Sequence, residues 1–457
     1  DQGRLEPGCR RQTGLDCRAV VAAIPVVAAL LRAAALLRAL PGPSGSKHPP
    51  QFDIASWPGK FVLYSLVNPR VKSLNYSANH SLLMAWGAAF ASFEPFNVLP
   101  FTPTLTCEPR TSLLMDRFDW KLVPDSGQTP DNGKDVPCSS VESKPWKLEM
   151  QGSDPQTVWA TPHALPLLLD YASRTFDTKR ADRLVVFSGM EMALSDAFGR
   201  TEAERAATVS ELRKYFGRIV YQTKDIPMEH VHLAPMGLGW GYTLYMISAW
   251  AHFPLPYLAL SHFAVTLFVN TTVDTKTRHV LACWGKHAGW LDKPRTLQRC
   301  RELRARGRLF QPSNSSLRAV EAAAHSRRQL RDWLGTPLAQ AVGVEWRSLA
   351  SFEYWTELPK YRFLLSPMGS GIQTAKTFEA LLALAVPVVQ RMGFSTHAEL
   401  AELGFPMVIV ESWEEVTPEN TSRWWDGLSP RLESFRRNCL TIEGYWSMFT
   451  GRVRTCH

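Results

Sequence analysis

Short apolar runs rich in β-branched and aromatic residues recur along the chain, with amphipathic stretches between them. The runs Phe61–Val67, Leu184–Phe187, Arg218–Tyr221, Ala264–Val269, Arg362–Leu365, Val386–Val389 and Met407–Val410 predict buried strands. The windows Thr201–Phe216, Leu317–Leu334 and Thr374–Ala385 carry apolar residues at helical spacing and predict helices. Short buried strands alternating with amphipathic helices predict an α/β chain with parallel sheets. At 457 residues the chain exceeds one ordinary core. Two doubly wound halves of about 180 residues each fit it, with ligands outside the carboxyl ends of the strands. The boundaries expected are an N-terminal segment and linker over 1–46, α/β domains over 47–262 and 263–430, and a helical tail over 431–457.

The N-terminal segment holds one unbroken apolar run, Val20–Leu31, which contains Pro25 and is followed by Arg32 and Arg38. A spanning helix needs about 20 apolar residues, so the run is short for one. A signal peptide or short signal-anchor, giving membrane anchoring, stands beside an amphipathic helix or a transit segment. Pro41–Ser46 then reads as a linker.

Composition narrows the class. Hydrophobic residues at 45% and charged residues at 20% exclude wholesale disorder. The net charge of +9 favours anionic partners. Its densest basic run, Arg295 to Arg308, reads as a solvated helix face without interleaved aromatics, so no nucleic-acid partner is expected. The cysteines lack zinc-site spacing; six of them form the sequence-local pairs Cys107/Cys138, Cys283/Cys300 and Cys439/Cys456, one of 15 possible connectivities. Asn75, Asn79, Asn270, Asn314 and Asn420 each open an Asn-x-Ser/Thr sequon, where chance gives about one. That enrichment points to the glycosylation machinery of the secretory lumen.

The segment Arg362–Val389 carries the most chemistry. It reads as strand, glycine loop, helix, strand, with Thr374 as the expected N-cap. A helix start behind a Gly-rich turn offers unpaired N–H groups and a positive dipole end to an anion. Lys376 adds a charge in the first turn, and Glu379 supplies a carboxylate for ribose hydroxyls. The alternative is a tight strand-to-helix turn with Glu379 on a solvated face.

This segment resembles the nucleotide-sugar signature of exostosin-like glycosyltransferases: Ser-Pro-x-Gly-x-Gly, a basic residue, Glu-Ala-Leu and apolar-Pro-Val-Val. Phe405–Val416 is similar to the family's next strand and acidic-aromatic loop, Thr266–Asn270 with Thr275 and Arg278 to the strand opening the nucleotide-binding half, and Pro235–Leu238 to the close of the acceptor half. The resemblance covers about Leu184 to Leu432 and is sharpest over 361–417. It implies two facing Rossmann-like domains (the GT-B arrangement), with 47–262 on the acceptor side and 263–430 holding the nucleotide sugar. It also implies a Golgi-membrane enzyme with a luminal catalytic domain, transferring a hexose or pentose with inversion to a glycan or glycoprotein acceptor. The site residues implied are Ser366, Gly369, Ser370, Gly371, Lys376, Glu379 and Arg278. Two positions depart from the pattern: Gln373 stands where Asp is expected, and Lys376 where Arg is expected.

A departing sugar diphosphate needs positive charge. The chain has no Asp-x-Asp motif, so helix dipole and cationic side chains are expected to supply it, with no metal or cofactor. The acceptor hydroxyl needs a general base from the other domain. Candidates are Asp196, His230 and His232. Trp413, Trp424 and Trp425 flank the donor segment and either stack on a sugar or, as expected here, fill a core. Gly-x-Ser-x-Gly, Walker and His-Glu-x-x-His patterns are absent.

Overall fold

Leu184-Val-Val-Phe187 is buried at all four positions, as a parallel strand covered by helices on both faces must be. The structure, a computed structural model, describes residues 101–102, 114, 117–124, 146–150, 152–180, 182–189, 192–239, 271–284, 298, 302, 317–349, 351–369 and 371–457. All of them fall in one compact unit, Asn75–His457. The predicted strands Phe61–Val67 and Ala264–Val269 lie outside the described residues, as do the segment 1–46 and its linker.

The first half is a six-stranded sheet. Its strands are β2 (Trp120–Pro124), β3 (Trp146–Met150), β4 (Thr157–Ala160), β5 (Leu184–Phe187), β6 (Arg218–Tyr221) and β7 (Val231–Leu233). They run in the order β3-β2-β4-β5-β6-β7, parallel except for the β2–β3 pair. A two-residue parallel ladder joins β1 (Phe101–Thr102) to β8 (Leu238–Gly239). Helices α1 (Leu165–Thr175), α2 (Leu194–Ala197) and α3 (Glu202–Arg213) follow β4 and β5. Thr201 and Glu204 close a capping box that starts α3 where the sequence places a helix. Trp120, Val158, Leu168, Val185, Phe187 and Phe216 belong to the core.

The second half is a five-stranded, wholly parallel sheet of β9 (Arg278–Ala282), β10 (Val344–Trp346), β11 (Tyr361–Leu365), β12 (Val386–Gln390) and β13 (Val408–Val410), in the order β10-β9-β11-β12-β13. Its helices are α4 (Leu317–Leu334), α5 (Pro337–Val342), α6 (Ser351–Glu357), α7 (Ala375–Leu382) and α8 (Thr396–Glu402). The chain closes with α9 (Pro418–Asn438) and α10 (Ile442–Thr450). Because α9 passes unbroken through residue 430, the expected tail begins inside a helix.

The structure is thus α/β with two largely parallel sheets. Of the three cysteine pairs expected, Cys439–Cys456 is formed. Cys283 is instead a buried free thiol, because it directly follows β9 inside the packed core. Cys107 and Cys138 lie outside the described residues. Of the five sequons, Asn420 alone is described; it is half-buried in the first turn of α9, and its amide donates to Glu415 O at 2.8 Å. No described helix is long and apolar enough to cross a membrane.

Candidate functional site

The second sheet places its crevice by connectivity alone. The chain leaves β9 for β10 on one side, then returns to β11 on the other, giving the order 2-1-3-4-5. Loops leaving the carboxyl ends of β9 and β11 therefore diverge, and doubly wound sheets take ligands in the gap this opens. After β9 come Cys283 and Trp284; after β11 comes the glycine loop, 366–373.

The loop rests on a hydroxyl cluster. Ser366 is buried, with its Oγ 3.1 Å from Thr374 Oγ1 and 3.2 Å from Thr377 Oγ1. Thr374 occupies the N-cap position of α7 with extended backbone, as expected, yet its hydroxyl makes no cap bond because it belongs to this cluster. The start of α7 consequently lacks its usual side-chain acceptor and faces any anion with its own dipole. Gly369 is half-exposed, and a Cβ there would come within 3.2 Å of Thr374 Cγ2; Gly371 is buried. Ser370 lies outside the described residues. Lys376 holds its Nζ 3.9 Å from the centroid of the Tyr354 ring. Glu379, one turn on, is only 1% exposed, and its Oε2 has no hydrogen-bond partner. Burial pushes this carboxyl up, while Lys376 and Tyr354 pull it partly back. At the other end of α7, the buried Lys276 donates to Ala383 O at 2.5 Å and Pro359 O at 2.8 Å, and burial lowers its pKa well below the usual lysine range. The amine thus caps a carbonyl at the negative end of the helix.

Gln373 turns out to be a strut. It is 4% exposed, and its amide nitrogen donates to Gln222 O and, at 2.9 Å, to Ala234 O. Its Oε1 accepts from Met236 N at 2.6 Å. Gln222 follows β6 and Ala234 follows β7, so the glycine loop meets the carboxyl end of the first sheet. An aspartate could not donate to those two carbonyls, which accounts for the departure seen in the sequence. Nearby, the half-to-half contact continues through Lys224 and Glu399 at 2.7 Å, and through Thr396 Oγ1 donating to Lys224 O at 2.5 Å. His397 is buried beside it, bonded to the backbone of Ile372, and burial lowers it to about 4. Sequence reading missed Lys224, His397 and Glu399, because nothing in their local pattern marks them as meeting across the halves.

Other candidates lie apart. Arg278 begins β9, four residues before its carboxyl end, or about 13 Å along the strand. Its guanidinium binds Glu345 at 2.6 Å and Tyr361 Oη at 3.0 Å. It is not brought to the glycine loop. Asp196, in α2, follows β5 on the carboxyl side of the first sheet and lines a shallow pocket with Gly199, Arg200 and Glu204. His230 precedes β7, at the opposite edge, with φ of 64° and Nε2 3.2 Å from Glu229. His232 sits within β7, outward-facing. Trp413 is buried with its indole donating to Ser326 O at 3.3 Å, and Trp425 packs edge-on against Phe363 at 5.8 Å; both fill the core. No cluster of three or more His, Cys, Asp or Glu side chains suited to a metal occurs among the described residues.

No protein-family model matches the chain, and no curated protein matches it.

Proposed function

We propose that the chain is a glycosyltransferase, with its halves in the GT-B arrangement, that moves a sugar from a nucleotide-sugar donor to a glycan or glycoprotein acceptor. One observation carries this reading: an uncapped helix start and glycine loop at the switch point of a 2-1-3-4-5 sheet, held against the carboxyl end of a second sheet. A sugar diphosphate places its phosphates at the start of α7, beside Lys376, and its sugar toward the first half. Helix dipole and ammonium charge stabilise the leaving diphosphate without a metal. Asp196, on the carboxyl side of the first sheet, takes the proton of the acceptor hydroxyl in a single inverting displacement. The sequons and the Cys439–Cys456 bridge suit a luminal, Golgi-anchored enzyme.

The test is a thermal-shift screen against nucleotide sugars in the presence of a chelator, followed by product analysis. A donor at 100 times its Kd stabilises the fold by about 2.7 kcal/mol. Asp196→Asn then lowers transfer by roughly 100-fold or more with donor affinity unchanged. Absence of any stabilising nucleotide sugar, or loss of binding with chelator, rejects the mechanism. A second reading, a catalytically degraded relative that binds glycans or assembles with an active partner, is favoured by the burial of Glu379 and the commitment of Gln373 to the contact between halves. Donor binding without detectable transfer or hydrolysis selects it.

A further inference from the structure

An exposed tryptophan stacked face to face on a second one presents a flat, oriented aromatic surface to solvent. Trp346, the last residue of β10, is 58% exposed. It stacks on Trp284, with ring centroids 5.7 Å apart and planes 21° from parallel. The buried Arg327 of α4 stands 5.9 Å over the Trp284 ring, bracing the inner member of the pair from the core side of the sheet edge. Trp346 pairs with Ala282, the last residue of β9, and Trp284 lies two residues beyond that point. The pair therefore stands at the same carboxyl edge as the glycine loop, with Trp284 on the loop that opens the other side of the switch-point crevice and Trp346 at the end of the neighbouring strand. One indole is braced, the other is open, and the open ring offers a flat surface beside a ready phosphate site.

We propose that Trp346, backed by Trp284, is the platform on which the planar base of a nucleoside diphosphate stacks; this rests on the donor-site reading above. Position decides between the base and the transferred sugar as occupant. Every described contact of the second sheet's loops with the first half comes from the β11 and β12 side: Gln373 after β11, and Ser395, Thr396 and Glu399 after β12. The platform lies on the β10 side, away from those contacts. A sugar must reach an acceptor held by the first half, whereas a base must not. Phosphates at the start of α7 then lie between the two, which is the order of groups in a nucleoside diphosphate sugar.

Isothermal titration of the full chain with uridine diphosphate, guanosine diphosphate and inorganic pyrophosphate tests this. The wild-type protein should hold one nucleoside diphosphate more tightly than pyrophosphate. Trp346→Ala should weaken that nucleoside diphosphate roughly 5- to 100-fold, the range of base–aromatic stacking, and leave pyrophosphate unchanged. Trp346→Phe, which keeps an aromatic face, should retain most of the affinity. Trp346→Phe should unfold at the wild-type temperature, and Trp346→Ala at most a few degrees lower, because it loses only the stacking of a largely exposed ring on Trp284. Unchanged nucleoside diphosphate affinity in Trp346→Ala overturns the platform while leaving the phosphate site standing. Equal loss of pyrophosphate binding overturns it as well, since a base subsite cannot act on a ligand without a base. Failure of wild type to bind any of the three probes rejects the donor site and the platform together.

Discussion

Gln373 shows how one side chain can be read two ways. As a member of the glycine loop it departs from the residue type that the exostosin resemblance implies; as an amide it serves three backbone groups of the opposite half. A carboxylate of the same length would face two carbonyl oxygens with no proton to offer. Gln373→Glu should therefore destabilise the protein by about 1–3 kcal/mol for each carbonyl left unsatisfied, read as a lower urea midpoint. An unchanged midpoint would show that the amide is dispensable. Glu379 carries the opposite lesson, a charge where the surroundings disfavour one. Its folded pKa is raised, so the folded state binds the proton more tightly than the unfolded chain. Stability from this group is present below the ordinary glutamate pKa and is lost as pH rises through the raised one. Glu379→Gln should thus gain stability over wild type as pH goes from 4 to 8. A stability gap that stays flat with pH would contradict the burial argument.

At the scale of elements, α8 depends on a neutral histidine. His397 titrates near 6.5 when unfolded and about 4 when folded, because burial disfavours its charge. The unfolded chain binds more protons between these values, so stability contributed by this group is present above 6.5 and is lost as pH falls toward 4. The loss amounts to roughly 3 kcal/mol, and His397→Gln should flatten the acid limb of the stability profile. What the sequence shows of these elements follows their chemistry. β5, β6, β11, β12 and β13 are legible because buried parallel strands are continuous apolar runs, and α3 because its capping box is local. β9 and β10 escape because polar residues break the apolar run: Arg278 and Glu345 form an ion pair on the sheet, and His279 meets the Thr421 hydroxyl. The glycine loop and helix of the site are legible for the same local reason. The stacked Trp284 and Trp346 are not, since 62 residues of chain separate two rings that only the β9–β10 pairing brings together.

At the scale of the whole molecule, α10 belongs by sequence to the second half and by contact to the first. Arg218 of β6 donates to Phe449 O at 2.6 Å and Met448 O at 3.1 Å, satisfying the last carbonyls of α10. Tyr445 Oη donates to Met236 O at 2.9 Å, and Trp446 meets Phe118 edge-on at 5.2 Å. The Cys439–Cys456 bridge joins residues 17 apart on either side of α10, and Cys456 N donates to Leu403 O at 2.8 Å, tying the chain end back to the second half. The segment is thus a strap across both sheets, and it shares the coupling with Gln373 and the Lys224–Glu399 pair. Removing it should leave two sheets with separate cores and few bonds between them. A chain ending at Leu440, with Cys439→Ser to avoid a stray thiol, should unfold in urea as two transitions reported differently by circular dichroism and tryptophan fluorescence. The intact protein should show one coincident transition. Tyr445→Phe, which deletes a single bond, should cost about 1 kcal/mol and keep the transition single. If the shortened chain still unfolds in one step at the wild-type midpoint, the strap does not couple the halves, and the polar contacts around Gln373 suffice to hold them together.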